Sequence, residues 1–369
     1  MQEGGPAHPT WAAKSANYGL PLDWLHHQSL EGNAMKLRLL ILLASSLIAV
    51  RANAQFTDPN GGDLERGVLP QKWTTGGPKC MEIPEWQVHE YNPDLYILRQ
   101  SGCTDAEMPF LFLFFGKDRG LLWDTGSRNG NLAPAFQRVV HNWLERNHRA
   151  SIPVIVTHSH SHDDHTFGDS AIQALHDPAI PITFVPAKVA DTQAFFHIQS
   201  WPEGLGEVDL GGRVLNVVPL PGHDVVSIAM YDRRTGILLT GDSLYPGRLY
   251  VRDFPAFKAS TERLIAFIEG KPVAHILGNH IEQSRTPFLD FPIGSIYHPD
   301  EHPLDLTFGT LLELEDGLKS MNGTPRRLAM RDFTIWPLSP GDHGLGQKME
   351  EIYKQTQEKQ QRDKWDQPK

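Results

Sequence analysis

No apolar run in the sequence approaches the roughly 18 residues that a membrane-spanning helix needs, so a polytopic membrane protein is excluded. Basic residues are fewer than acidic ones: the chain has 34 Lys and Arg and 44 Asp and Glu, so its formal net charge is −10. A protein whose main ligand is nucleic acid needs a surplus of Lys and Arg, so no nucleic acid partner is expected. Hydrophobic residues still make up 40% of the 369 positions, as in a globular protein.

Cysteine is also scarce, because Cys80 and Cys103 are the only two and the second half of the chain has none. In an oxidising compartment these two can pair, closing a loop of about 24 residues and stabilising the fold by roughly 3 kcal/mol. Two free, buried thiols are the alternative, because spacing alone does not prove pairing.

Residues 35–54 are predicted to be a secretory signal peptide. Lys36 and Arg38 supply a positive start, residues 39–50 form a short apolar core, and an Ala-Asn-Ala cleavage motif ends at Ala54. A membrane anchor is the alternative, but the apolar run is too short to span the hydrocarbon core. We therefore expect an exported protein, periplasmic or secreted.

The rest of the chain divides around this segment. Residues 1–34 form an unassigned leader, since translation is expected to start at Met35. Residues 55–90 are rich in Gly, Pro and polar groups and are predicted to be an N-terminal extension. Residues 91–301 form the predicted catalytic domain, and residues 302–369 a C-terminal helical segment with a charged, Gln-rich tail.

Short apolar runs separated by turn residues predict a series of strands. They lie at residues 95–98, 109–115, 120–123, 152–157, 182–185, 214–219, 227–231, 237–240 and 273–277. Helical spacing predicts helices at residues 131–149, after Gly168 and at residues 261–268. This mixture of hairpins and helix-crossed strands predicts an α+β sandwich in which helices pack outside the sheets.

The most informative stretch is His-Ser-His-Ser-His-Asp-Asp-His at residues 158–165, directly after a predicted strand. Imidazole and carboxylate groups are the ligands that suit Zn²⁺. In an extended segment the alternate residues His160 and His162 point to the same side. A loop of this kind predicts a metal site.

Three later positions support the same interpretation. His223, Asp242 and His280 each follow a predicted strand closely, where sheets of this type place their chemistry. Independent strands that all end in ligand residues are hard to produce by chance, so we expect these side chains to converge with residues 160–165.

This pattern resembles that of the metallo-β-lactamase superfamily. Residues 160–165 match its H-x-H-x-D-H motif, and His223, Asp242 and His280 fall at the later ligand positions in order. Residues 121–126, Leu-Leu-Trp-Asp-Thr-Gly, look like its early strand ending in D-T-G. The resemblance covers roughly residues 91–301 and implies the αββα four-layer fold.

The resemblance also implies a ligand set for two zinc ions. One would be held by His160, His162 and His223, and the other by Asp164, His165 and His280, with Asp242 bridging the two. A hydroxide between the metals would attack a small carbonyl substrate such as a lactone, thioester or lactam. Asp164 would be the catalytic residue that orients the water, and Asp124 would hold a ligand histidine from behind.

Other polar residues near the motifs are candidates for weaker roles. His158 is expected not to be a ligand, because a register that starts there loses the Asp-His pair. Residues that could overhang the metals and contact substrate are Tyr245, Arg248, Tyr250, Glu282, Arg285, His298 and His302.

Several alternative functions stay open. A β-lactamase proper is one, although Asp242 at the bridging position is more typical of the glyoxalase II and lactonase ligand set. An iron-dependent oxidoreductase of the same superfamily is another, and metal analysis would distinguish it. A nuclease is disfavoured by the net charge of −10. A non-catalytic zinc protein is disfavoured because structural zinc sites favour Cys ligands.

Overall fold

The computed structural model describes residues 64–77, 80–338, 351 and 354–355. The predicted leader and signal peptide lie outside these residues, as does most of the charged tail. None of the helices among the described residues is both long and apolar enough to cross a membrane.

The elements are numbered in chain order. The strands are β1 (Trp86–Asn92), β2 (Leu95–Gln100), β3 (Phe110–Phe115), β4 (Gly120–Trp123), β5 (Val154–Thr157), β6 (Ile182–Phe184), β7 (Gly206–Asp209), β8 (Val214–Pro219), β9 (Ile228–Asp232), β10 (Ile237–Gly241), β11 (Arg248–Val251), β12 (His275–Gly278), β13 (Asp305–Leu306), β14 (Leu328–Ala329) and β15 (Thr334–Pro337). The helices between residues 133 and 320 are α1 (Ala133–Arg146), α2 (Asp163–Thr166), α3 (Asp169–Gln173), α4 (Val189–Phe196), α5 (Phe254–Ile268) and α6 (Phe308–Ser320).

Two six-stranded sheets form the centre of the fold. The first has the order β1-β2-β3-β4-β5-β6 and is antiparallel through β4, after which β5 and β6 add in parallel. The second has the order β13-β12-β10-β9-β8-β7, and its parallel pair β10 and β12 is connected through α5. A parallel pair needs such a crossover, whereas the antiparallel pairs β1–β2, β3–β4, β7–β8 and β9–β10 are joined by short turns.

Both faces of each sheet are covered by apolar side chains. Strand β3 shows this most clearly, because all of its residues are buried and successive side chains point to opposite faces. Phe110, Phe112 and Phe114 pack between the two sheets, and Leu111, Leu113 and Phe115 pack with α1. The second sheet is covered on its outer face by α5 and α6. The predicted αββα fold is confirmed.

Several predicted elements differ from the structure in their bounds. Helix α5 begins at Phe254 rather than at residue 261, because the side chain of Asp253 accepts a hydrogen bond from Ala256 N (3.0 Å) and caps it. Strand β1 begins at Trp86, inside the segment predicted as an extension, and pairs with β2. Residues 302–338 contribute β13 to the second sheet and, with β11, form a third sheet of order β11-β15-β14. Cys80 and Cys103 form a disulfide.

Arg213 ties the two central sheets together. Its guanidinium donates to Asp232 in β9 (Nη2 to Oδ2, 2.6 Å), and both side chains are almost fully buried. It also donates to the backbone carbonyls of Asp94 (2.6 Å) and Phe115 (3.1 Å), which belong to the first sheet and its first turn. A buried ion pair of this kind is stable only because every partner is satisfied.

Replacing Arg213 should therefore destabilise the fold. Arg213→Met leaves the buried carboxylate of Asp232 with hydrogen bonds from Thr235 and Arg234 N but without a counter-charge, which should lower the free energy of unfolding by about 3–5 kcal/mol. Urea denaturation followed by circular dichroism measures this change. The control is Arg233→Ala, whose pair with Glu207 is exposed (31% and 60%), and it should cost at most about 1 kcal/mol. Equal unfolding midpoints for the two variants would contradict the role given to Arg213.

Candidate metal centre

The predicted ligands lie where strands of both sheets end. Strand β5 ends at Thr157, and α2 begins at Asp163, so the loop between them carries His160 and His162. Backbone hydrogen bonds join this loop to the second sheet, since Ile228 N donates to Ser159 O (2.9 Å). At the end of β12, Asn279 O accepts from Phe110 N of the first sheet (2.8 Å). These contacts bring the loops of the two sheets to one edge.

Three of the predicted ligands form what we call the histidine group, namely His160, His162 and His223. His162 Nδ1 lies 2.9 Å from His160 Nε2 and 3.0 Å from His223 Nε2. Three ring nitrogens therefore face a common point.

The other four predicted ligands form the mixed group, namely Asp164, His165, Asp242 and His280. His280 Nε2 is 3.3 Å from Asp164 Oδ2 and 3.4 Å from Asp242 Oδ1. His165 Nε2 is 3.1 Å from Asp164 Oδ2. In each group the ligand atoms lie within 4.8 Å of one another. The structure thus brings together all seven residues predicted from the sequence.

Asp242 connects the two groups. Its Oδ1 faces the mixed group, 3.6 Å from His165 Nε2. Its Oδ2 faces the histidine group, 3.5 Å from His223 Nε2 and 3.8 Å from His160 Nε2. One carboxylate with an oxygen toward each group is placed to be shared by two cations.

The orientation of the imidazoles fits cation binding. His223 Nδ1 lies 2.7 Å from the carbonyl oxygen of Tyr250, and His280 Nδ1 lies 2.8 Å from that of Glu107. A carbonyl oxygen can only accept, so Nδ1 carries a proton in both rings and Nε2 is the nitrogen that faces the centre. The donor set, imidazole and carboxylate without thiolate, is one that zinc accepts.

Asp124 lies outside the two donor groups and accepts a hydrogen bond from the predicted ligand His165, as predicted. This buried residue follows β4 and has a φ of 67°. Its carboxylate accepts hydrogen bonds from Ser159 N (2.6 Å), His165 Nδ1 (3.0 Å) and Asn279 Nδ2 (2.6 Å). An outer carboxylate of this kind fixes the ring orientation of a ligand histidine.

Electrostatics favour the cation-binding protonation state in the histidine group and in both carboxylates, but not in the imidazoles of the mixed group. Burial lowers the pKa of all three imidazoles of the histidine group, that of His162 to about 4, so these rings are neutral at pH 7. In the mixed group burial would raise the pKa of both carboxyls, but the nearby imidazoles outweigh it and hold both well below their usual range. Burial would lower the pKa of its two imidazoles, yet the carboxylates raise it, for His280 to about 10. A cation in the mixed group therefore displaces protons, and its affinity should fall as pH decreases.

A cavity of about 520 Å³ lies beside Asp164. Four of the predicted contact residues line it: Arg248, Tyr250, Glu282 and His298. Tyr245 is buried, with its hydroxyl donating to the carbonyl of Arg248. Arg285 and His302 line a separate depression of about 90 Å³.

The sequence did not point to every residue of the site. Glu107, between β2 and β3, lines the cavity, where desolvation and then the charge of Asp164 raise its pKa to about 8. No motif marks it. Residues 127–129 also line the cavity, and their position directly after the D-T-G motif was an available signal.

His158 lies outside both groups, with Nδ1 3.2 Å from His165 O and Nε2 3.4 Å from Asp169 Oδ2.

Comparison with known proteins agrees with this geometry. Residues 105–279 match the family model described as the metallo-beta-lactamase superfamily. The chain is similar to the acyl-coenzyme A thioesterase MBLAC2 of Bos taurus, with 23% identity over 236 residues that cover 54% of this chain and 83% of that protein. The Homo sapiens thioesterase of the same name is 24% identical over 232 residues, with the same shares covered.

Solved structures with a similar fold include a metallo-β-lactamase from Erythrobacter litoralis, at 13% identity and a TM-score of 0.44, covering 64% of this chain and 98% of that one. Another is FIM-1 from Pseudomonas aeruginosa in its mono-zinc form, at 14% identity and a TM-score of 0.42, covering 66% of this chain and 99% of that one.

The donor groups and the family match define a metal-dependent hydrolase. Residues 105–279 thus form a metallo-β-lactamase superfamily domain of this chain.

Asp124→Asn should weaken metal binding by about 10- to 100-fold. Asn keeps the shape and tolerates the positive φ, but its amide nitrogen replaces one of the two oxygens that accept hydrogen bonds. Competition with a chromophoric chelator measures the affinity. The control is Asp209→Asn, at the exposed end of β7, which should bind metal like the wild type. Unchanged affinity in Asp124→Asn would mean that Asp124 does not orient His165.

Proposed function

We propose that this protein is an exported hydrolase that uses two zinc ions to cleave a small carbonyl substrate, and that thioesters are the favoured class. The observation that carries the proposal is the placement of Asp242, whose two carboxylate oxygens face different donor groups. A shared carboxylate is typical of a pair of catalytic cations rather than of one isolated ion.

The residues present fit zinc at both positions. The histidine group would hold one ion and the mixed group the other, with Asp242 shared between them. Structural zinc sites are normally closed by four ligands and favour Cys, whereas these seven donors contain none. This donor set therefore supports an open, catalytic pair.

Bound zinc would lower the pKa of water toward neutrality and polarise the substrate carbonyl. The chain's own contribution is to hold the parts in place. The carbonyls of Tyr250 and Glu107 fix two ligand rings, and Asp124 fixes a third. Asp164 belongs to the mixed group and also lines the cavity, so its carboxylate is placed to orient the attacking water toward the substrate.

The substrate class is inferred from two observations. The similar curated proteins are acyl-coenzyme A thioesterases by name, which supports a thioester. The position predicted to bridge holds Asp242 rather than the Cys or non-ligand residue typical of known lactamase groups, which disfavours a lactam. Turnover of nitrocefin but not of thioesters or lactones would instead indicate a β-lactamase. Iron in the purified protein would indicate an oxidoreductase.

Asp164→Ala should lower kcat/KM for a thioester by at least about 1,000-fold, since it removes a ligand and the group that orients the water. The control is Asp191→Ala, because Asp191 is exposed in α4 and lies outside both donor groups and the cavity lining. It should stay within about tenfold of the wild type. Circular dichroism and metal content are measured for both variants. If Asp164→Ala keeps the wild-type kcat, the role assigned to Asp164 is wrong.

Export is proposed from the predicted signal peptide, and the disulfide between Cys80 and Cys103 fits an oxidising compartment. Expressed from Met35 in a bacterial host, the protein should appear in the periplasm with Gln55 as its first residue. Cell fractionation and N-terminal sequencing test this. Leu43→Arg, which interrupts the apolar core of the signal, should keep the chain in the cytoplasm. A wild-type chain found in the cytoplasm and starting at Met35 would contradict export.

A further inference from the structure

We propose that one part of the cavity wall binds an apolar acyl chain and selects acyl groups longer than acetyl. This apolar wall consists of Ile281, Phe291, Pro292 and Ile293. The proposal deepens the proposed function and rests on it for the position of the substrate carbonyl.

The apolar wall begins at the metal centre. Ile281 directly follows His280 of the mixed group, and Asp164 of the same group lines the same cavity. Ile281 also packs in the core between the sheets and is only 2% exposed, so it forms the inner end of the wall, closest to a substrate carbonyl at the mixed group. The remaining apolar residues continue along one loop, residues 291–293.

The loop that carries this wall is firmly positioned. Phe291 N donates to Glu282 O (2.8 Å), and the carbonyl of Phe291 accepts a hydrogen bond from the side chain of Arg248. The ring of Phe291 is stacked on the buried ring of His298, with 4.1 Å between centroids and 5° between planes. A wall held in this way loses little conformational freedom when a ligand binds.

The positive charge next to the apolar wall is already neutralised within the protein. Arg248 pairs with Glu282 (3.0 Å) and with Asp290 (3.3 Å), and its side chain is only 6% exposed. Its guanidinium is therefore committed to holding the loop and is poorly placed to bind an anionic substrate group. An aliphatic chain is the partner that suits this surface.

The rest of the cavity lining is mostly polar rather than apolar. Glu107, Ser127, Arg128 and Asn129 contribute polar and charged groups. An acyl ester with an apolar acyl part and a polar leaving group matches such a divided cavity. The volume of about 520 Å³ is in the range of sites for drug-sized ligands, more than an acetyl group requires.

The test is the binding of alkanoates, which share one carboxylate and differ only in chain length. Isothermal titration calorimetry on the zinc-loaded protein compares butanoate with octanoate. A fully buried methylene is worth a factor of about four, so four methylenes along a wall that covers one side should improve Kd by about tenfold or more. Ile293→Asp and the uncharged Ile293→Ser should both reduce this preference to less than about threefold.

The matched control is Leu289→Asp, which places the same charge on the same loop at an exposed residue outside the cavity lining. It should keep the wild-type preference for octanoate. Equal affinity of the wild type for both alkanoates, or an unchanged preference in the two Ile293 variants, would overturn the proposal.

Because this measurement needs no turnover, it separates the apolar wall from the hydrolase function. Octanoate selection that depends on Ile293, in a protein that cleaves no thioester, would support the wall and contradict the proposed reaction. Thioester hydrolysis with no dependence on acyl chain length, from acetyl to octanoyl, would support the reaction and contradict the wall.

Discussion

The buried carboxylate of Asp124 is the interaction on which the geometry of the metal centre depends. It lies at the end of β4 and accepts hydrogen bonds from Ser159, His165 and Asn279. These donors come from the loop after β5, from α2 and from the end of β12, so one side chain joins both sheets. A buried carboxylate is stable only if hydrogen-bond donors replace the water that it loses. Because one of these donors is His165 Nδ1, the same interaction fixes the orientation of that imidazole ring.

The layered packing explains why the site forms at this edge. The two sheets pack through their apolar faces, and the ends of β4, β5, β10 and β12 lie together at one edge of this packed core. Loops at that edge lie beyond the regular strand ladders, apart from the bonds from Ile228 N and Phe110 N, and can carry imidazoles and carboxylates. The cavity is built from the same loops, since the carbonyls of Tyr250 and Glu107 hold ligand rings while both residues line the cavity. The cavity lining and the two donor groups are thus mechanically connected.

Much of this arrangement could be predicted from residue patterns. Strands β4 and β8 have the predicted bounds, because each is a short apolar run between turn residues. Prediction was weaker where burial does not alternate cleanly, as in β1, whose middle positions are partly exposed. The third sheet was not predicted, because β14 is only two residues long and β15 pairs with the distant β11. Glu107 was missed for a similar reason, since its contact with His280 spans 173 positions.

The sequence by itself determined the chemistry of the site: which donors are present, how they are spaced after the first motif, and that each later donor follows a strand. Those properties depend on residue type and on near neighbours along the chain. Only the tertiary structure decided that Asp242 faces both groups, that His162 presents Nδ1 while His223 presents Nε2, and that an apolar wall continues from His280. These features depend on how two sheets pack and on which backbone carbonyl meets which ring. Such contacts form between residues that are far apart in the chain, so no local pattern encodes them.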